Sequence, residues 1–312
     1  MSRAFGAKHM RTSGTTHLRG RACRRQPNDV VQTPLRPDAR APSPRRHRDD
    51  SGVKLSAANL LCAARALLFN SRAMATLVFD IETSGLPPET FDEAQREYLF
   101  RDAERLPEGP EREARRAEIQ RQFSLWPFTA QVVCIAMVNA ETGRGQVLFL
   151  SEDCEEATDE PGPVKYVPCA DEVELLTAFW EVAPRYDSIV TFNGRGFDVP
   201  FLYLRSAQLN VPITRKDWLG YRFNVEPHCD LAEQLTFYSV SGRDGAARKF
   251  NLDFYCKAFG IPSPKAEGVT GNDIGQLMAD GRHRDIAEYC LRDVKATVLL
   301  YQIWQARLKG VK

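Results

Sequence analysis

Five side chains in three short segments could do chemistry together: Asp80 and Glu82, then Asp198, then Tyr289 with Asp293. Asp80-Ile81-Glu82 ends an apolar run, residues 76–81, that reads as a buried strand closed by a turn. Alternate side chains of a strand share a face, so Asp80 and Glu82 project together while Ile81 turns to the core. Adjacent carboxylates repel unless a cation lies between them, and oxygen ligands of this kind suit Mg²⁺ or Mn²⁺. Taken alone, an Asp-x-Glu pair is more often the solvated end of a strand.

Asp198 closes Asn193-Gly194-Arg195-Gly196-Phe197-Asp198, between a strand pattern at residues 188–192 and a helix pattern at 199–209. Gly194 and Gly196 permit a tight turn and close approach of a ligand. The third glycine of a dinucleotide-binding fingerprint is missing. Asp198 has two competing roles, ligand or helix N-cap, and Pro200 in the first turn suits the second. Tyr289 and Asp293 lie four residues apart, one turn along the last helix. That helix carries Ile286, Cys290, Val294, Val298, Leu299 and Ile303, all seeking burial. An Asp at its inner edge is costly unless paired or bound to metal; otherwise it pairs at the surface with Arg292 or Lys295.

The elements needed to position these groups read as one α/β unit from Thr76 onward, a mixed sheet with helices on its faces. Further strands are expected at residues 131–139, 146–150 and about 228–231. Helices are expected at 171–184, with Val173, Leu176, Phe179 and Trp180 on the inward side, and at 252–259 and 285–308. Residues 89–122 are crowded with Glu and Arg and broken at Pro107 and Pro110, which predicts two exposed helices forming an insertion. Residues 151–163 read as an acidic loop. His228 is expected to be structural and His283 exposed.

Charge divides the chain. Residues 1–73 carry a net charge of +11 and the remaining 239 carry −10. The basic part is predicted to be an extension without fixed structure, although its Arg-rich composition also resembles a transit segment. Met74 stands directly before the first strand and could equally be the true start. The apolar stretch 55–69 is interrupted by Asn59 and Arg65 and is shorter than the ~20 residues a membrane helix needs. Eight scattered cysteines with no CxxC pair fit free thiols in a reducing cytoplasm, with Cys134, Cys256 and Cys290 as core residues. There is no P-loop, HExxH or nucleophile elbow, which excludes the corresponding ATPases, zinc proteases and serine hydrolases.

In this order and on these elements, the three segments resemble the DEDD superfamily of 3′–5′ exonucleases, whose four acids come from three such motifs. Tyr289, four residues before Asp293, matches the tyrosine subgroup; the histidine subgroup would place its His where Glu288 stands. Residues 192–198, His228-Cys229-Asp230-Leu231 and residues 289–294 are similar to stand-alone predicted exonucleases related to the family-B DNA polymerase exonuclease domain. The similarity runs from about Ala75 to Leu308, and only the 89–122 stretch and the basic extension depart from it. The domain division implied is thus 1–73 and 74–312.

The resemblance implies a ribonuclease H-like fold and a nucleic-acid substrate with a free, single-stranded 3′ end, DNA in preference. It implies two divalent cations, with Asp80, Glu82 and Asp293 holding one, and Asp80 and Asp198 reaching the other. Tyr289 would orient the attacking water, Asn193 and Phe197 would contact the terminal nucleotides, backbone near Thr83 would meet the 3′ end, and Leu86 would wedge against a base. An exoribonuclease, or a non-catalytic binding module on the same fold, is the alternative. A net charge of −10 is unusual for a binder of phosphate polymers, but residues 194–265 carry +3, with Arg195, Arg222, Arg243, Arg248, Lys249 and Lys257 available for phosphates.

Overall fold

The computed structural model describes residues 75–151, 163–238, 248–265, 268 and 270–311. The expectations for residues 1–73 and for most of the acidic loop lie outside these residues. The central strand β1 (Thr76–Gly85) is buried along most of its length because both its faces are covered. It pairs antiparallel with β2 (Ala130–Asn139) and parallel with β5 (Ser188–Thr191). Adding β3 (Gly145–Leu150), β4 (Val164–Cys169) and β6 (His228–Asp230) gives a six-stranded sheet in the order β4-β3-β2-β1-β5-β6. The fold is therefore α/β with a mixed sheet flanked by helices, as the patterning predicts.

Two cores lie on opposite faces. Leu77, Phe79 and Ile81 pack with α3 (Glu172–Val182) and α4 (Asp198–Gln208) around Phe179, Trp180 and Trp218. Val78, Cys134 and Ala136 pack with α8 (His283–Arg307), the long last helix, through Cys290, Val294 and Leu300. Residues 78, 80 and 82 thus share the α8 face, as the period of a strand requires. Cys134, Cys169, Cys229, Cys256 and Cys290 are buried free thiols. No helix among the described residues is long and apolar enough to cross a membrane.

Three sequence expectations change. Val173 is 43% exposed, and the inward side of α3 is formed by Glu172, Leu175, Leu176, Phe179 and Trp180. Strand β4 was not expected because Lys165 and Pro168 interrupt its pattern; as an edge strand it can hold a proline. His283 is half-buried at the start of α8, and its Nδ1 is buried without a partner among the described residues.

Residues 93–121 form α1 (Glu93–Glu104) and α2 (Pro110–Arg121). Asp92 begins α1 with a capping box closed by Gln95. The pair encloses a small core of Phe91, Phe100, Ala103, Ile119 and Phe123, with Leu86 packed against it. The chain returns past the end of β1, where the Thr83 hydroxyl donates to the Ser124 carbonyl at 2.7 Å. A register shift follows Glu82, so that Thr83 faces Val132 rather than Val133. The Val132 amide at this bulge donates to the buried Glu172 carboxylate at 2.8 Å, and Arg205 pairs with the same carboxylate. Short helices α5 (Leu231–Leu235), α6 (Leu252–Phe259) and α7 (Ile274–Ala279) complete the fold.

Candidate active site

The strand β1 delivers Asp80 and Glu82 to one face, just before the bulge that follows Glu82. Asp198 arrives from the first turn of α4, and Tyr289 and Asp293 from the middle of α8. Asp80, Asn193, Lys249, Phe250, Tyr289 and Asp293 are among the residues lining a cleft of about 500 Å³. Glu82 and Asp198 are buried beside these groups.

Asp198 is not the N-cap of α4. Phe197 occupies the cap position, and no side chain caps that end. Instead an Asp198 carboxylate oxygen accepts the Ile81 amide at 3.2 Å, which ties α4 to the strand carrying Asp80 and Glu82. Nor does Asp293 pair at the surface: its Oδ1 is buried without a hydrogen-bond partner among the described residues, while the Tyr289 hydroxyl bonds the same carboxylate.

The four acids act on one another's charge. Burial, then the charges of Asp198, Glu82 and Asp293, hold the Asp80 carboxyl well above the usual range. Glu82 is raised in the same way, by burial and then by Asp293 and Asp198. Burial pushes Asp198 up to about 7 against the lowering effect of its backbone hydrogen bonds. Asp293 is pushed up to about 6 by burial, opposed by the Tyr289 hydroxyl, Lys265 and Arg292. Burial and the surrounding carboxylates raise the Tyr289 phenol far above its ordinary range, so it is a neutral donor and not a base. Ligating atoms of Asp80, Glu82 and the Cys290 thiol all lie within 4.8 Å of one another.

The turn before Asp198 is fixed from beneath. Asp230, 1% exposed, accepts the Asn193 and Arg195 amides at 2.9 Å each and caps α5 through the Ala232 amide at 3.0 Å. Gly194 packs so closely that a Cβ there would lie 2.4 Å from the Thr191 hydroxyl. That hydroxyl accepts the Gly194 amide at 3.1 Å and bonds His228 Nε2 at 2.8 Å. His228 Nδ1 faces the Trp218 carbonyl at 3.2 Å, which fixes the ring as Nδ1–H donor and Nε2 acceptor. Burial lowers His228 to about 3, so it stays neutral and structural.

Of the substrate contacts expected from sequence, Asn193 lines the cleft and its side chain accepts from the Lys249 ammonium. Thr83, Leu86 and Phe197 are not among the lining residues: Thr83 bonds Ser124, Leu86 packs on the core of the α1–α2 pair, and Phe197 packs on Phe201 with tilted rings 5.3 Å apart. The basic set is largely committed elsewhere. Arg195 and Arg222 both pair with Glu233, at 3.6 and 2.8 Å, and Lys257 pairs with Asp253 at 2.8 Å. Arg248 stays at the cleft edge, over the ring of the lining residue Phe250, and Arg243 falls outside the described residues. Lys265 and Asp253 line the cleft without having been singled out; a loop lysine among prolines carries no periodic signal that would mark it.

Residues 128–310 match a family described as a predicted 3′–5′ exonuclease related to the exonuclease domain of PolB. The chain belongs to this family. DNA polymerase 1 of Saccharolobus solfataricus is 25% identical over 181 residues, covering 54% of this chain and 19% of the polymerase. DNA polymerase 1 of Sulfolobus acidocaldarius is 26% identical over 180 residues, with the same coverage of 54% and 19%. The chain thus spans less than a fifth of the length of these relatives. A solved family B DNA polymerase from Pyrobaculum calidifontis is similar at 20% identity and a TM-score of 0.45, covering 74% of this chain and 24% of that one. Asn193, Asp198, Tyr289 and Asp293 fall inside the stretch that matches the exonuclease family, while Asp80 and Glu82 precede it and join the site through the pairing of β1 with β2 and β5.

Proposed function

We propose that the protein removes nucleotides from the 3′ end of single-stranded nucleic acid, DNA in preference, releasing nucleoside 5′-monophosphates. The observation that carries this reading is the convergence of four carboxylates with a buried Asp293 oxygen that has no partner among the described residues. Such a cluster is costly unless positive charge enters it, and its carboxylate oxygens fit Mg²⁺ or Mn²⁺, while the neighbouring Cys290 thiol, raised by burial, donates to the Asp80 carbonyl. Asp80, Glu82 and Asp293 would hold one cation and Asp80 with Asp198 the other. When bound, two such cations supply a nucleophile at neutral pH and stabilise charge on the leaving 3′ oxygen.

The chain's own groups do the rest. Tyr289, a protonated phenol bonded to Asp293, orients the attacking water and does not take its proton. Asn193 and Lys249, joined across the cleft wall, meet the terminal nucleotide and its phosphate. Phe197, in the turn leading to Asp198, supports that contact, and Thr83 and Leu86, following Glu82, would reach the 3′ end through backbone and part-exposed side chain. A binding module without catalysis would not need all four acids together with Tyr289.

The test is a 5′-labelled oligonucleotide of DNA or RNA incubated with Mg²⁺, Mn²⁺ or a chelator. A ladder shortening from the 3′ end is expected with either ion, faster on DNA, and absent in Asp80→Asn and Asp293→Asn. Internal cuts, or equal cleavage by the variants, would overturn the proposal; faster cleavage of RNA would make the protein an exoribonuclease.

A further inference from the structure

A single strand carries unpaired bases behind its 3′ end, and a pair of stacked aromatic rings begins in the cleft wall. Phe250 lines the cleft, and Phe254 stacks on it with ring centroids 4.2 Å apart and planes only 9° from parallel. The Arg248 guanidinium lies over the same Phe250 ring, 5.2 Å from its centroid. Phe254 keeps 50% of its surface in solvent. Its backbone is fixed, because Asn251 caps α6 by accepting the Phe254 amide at 2.9 Å.

A lone exposed phenylalanine needs no explanation. This one is the outer member of a near-parallel stack that starts inside the cleft, and cations accompany it. Lys249 and Lys265 line the same cleft, and Arg248 adds a third positive charge at the stack. A ring already held flat on one side loses little further freedom when another π-system covers the other side. Aromatic faces bordered by cations are the recurring means of holding single strands, because every base offers a π-face and every nucleotide a phosphate.

Resting on the exonuclease reading above, we propose that Phe250 and Phe254 form a stacking platform for an unpaired base upstream of the bond that is cut, with Lys249, Lys265 and Arg248 flanking the backbone. Stacking of this kind is tolerant of base identity, so the platform sets a preference for unpaired strands and not for sequence. Bases within a duplex are already stacked on one another and cannot use it.

The test compares the full chain with Phe254→Leu and Phe254→Trp on two substrates: an oligothymidylate, and the p-nitrophenyl ester of thymidine 5′-monophosphate, which has no upstream base. Phe254→Leu should raise KM for the oligonucleotide about tenfold at unchanged kcat, the order expected for loss of one stacked base. It should leave hydrolysis of the ester as in the wild type, and Phe254→Trp should keep a wild-type or lower KM. An unchanged oligonucleotide KM in Phe254→Leu, or an equal loss on the ester, would overturn the platform while leaving the nuclease standing. Wild-type protein inactive on both substrates would instead remove the nuclease reading itself.

Discussion

Asp198 illustrates how a single residue resolves two roles that sequence leaves open. A carboxylate at the start of a helix is most simply a cap, yet here it turns back to the Ile81 amide and joins Asp80 and Glu82. The cost of that choice is visible in its raised pKa, and it sets a pH dependence. Asp198, at about 7, and Asp293, at about 6, hold protons in the folded protein that an unfolded chain would release near the ordinary value of 3.8. Their contribution to stability is therefore fully present below pH 4 and is lost as pH rises through 6 and 7. Neutral His228 acts in the opposite sense, because the unfolded chain protonates it below its ordinary 6.5 while the folded protein does so only near 3. In chelator, melting temperatures of wild type and Asp198→Asn should diverge between pH 5 and pH 8, the wild type falling relative to the variant. Parallel curves would show that Asp198 is not held protonated. Under the proposed mechanism Tyr289→Phe removes only a water-orienting hydroxyl, so kcat should fall about 10–100-fold with little change in KM. A loss as large as that of Asp80→Asn, several powers of ten, would assign the phenol a larger part than positioning.

At the scale of elements, the site depends on how β1 is joined to its neighbours. The register shift after Glu82 leaves the Val132 amide to the Glu172 carboxylate, and Arg205 closes that buried pair while also donating to the Pro127 carbonyl at 3.1 Å. Removing one member strands a buried charge, so Arg205→Ala should cost about 3–5 kcal/mol in urea unfolding. A change below about 1 kcal/mol would mean that the pair behaves as an exposed one. The elements bearing the motifs were legible from their patterns: β1 as a short apolar run closed by a turn, α8 as apolar residues three and four apart. The Glu172–Arg205 pair was not, since nothing local tells a helix-start glutamate that it will be buried against a bulge 40 residues earlier in the chain. Strand β4 was missed for a similar reason, its β-pattern being diluted by Lys165 and Pro168 at an edge where such residues are tolerated.

Over the whole molecule, charge is distributed more locally than net values suggest. The stretch 194–265 is basic in sequence, but Glu233 and Asp253 neutralise Arg195, Arg222 and Lys257 within it. What reaches the cleft is Lys249 and Lys265 opposite a carboxylate cluster, so strong attraction for a phosphate chain requires cations to fill that cluster first. Sequence could nominate the four acids because their types and spacing carry the family resemblance; the ion pairs that neutralise the basic stretch are set by tertiary structure and were out of reach. The most direct measurement is a calorimetric Mn²⁺ titration at pH 8, above the values to which burial raises Asp198 and Asp293. Two ions per chain are expected for the wild type, with Asp198→Asn losing one and Asp80→Asn losing both. A wild-type protein that binds no ion, or variants whose titrations match it, would contradict a bimetallic site built from these carboxylates.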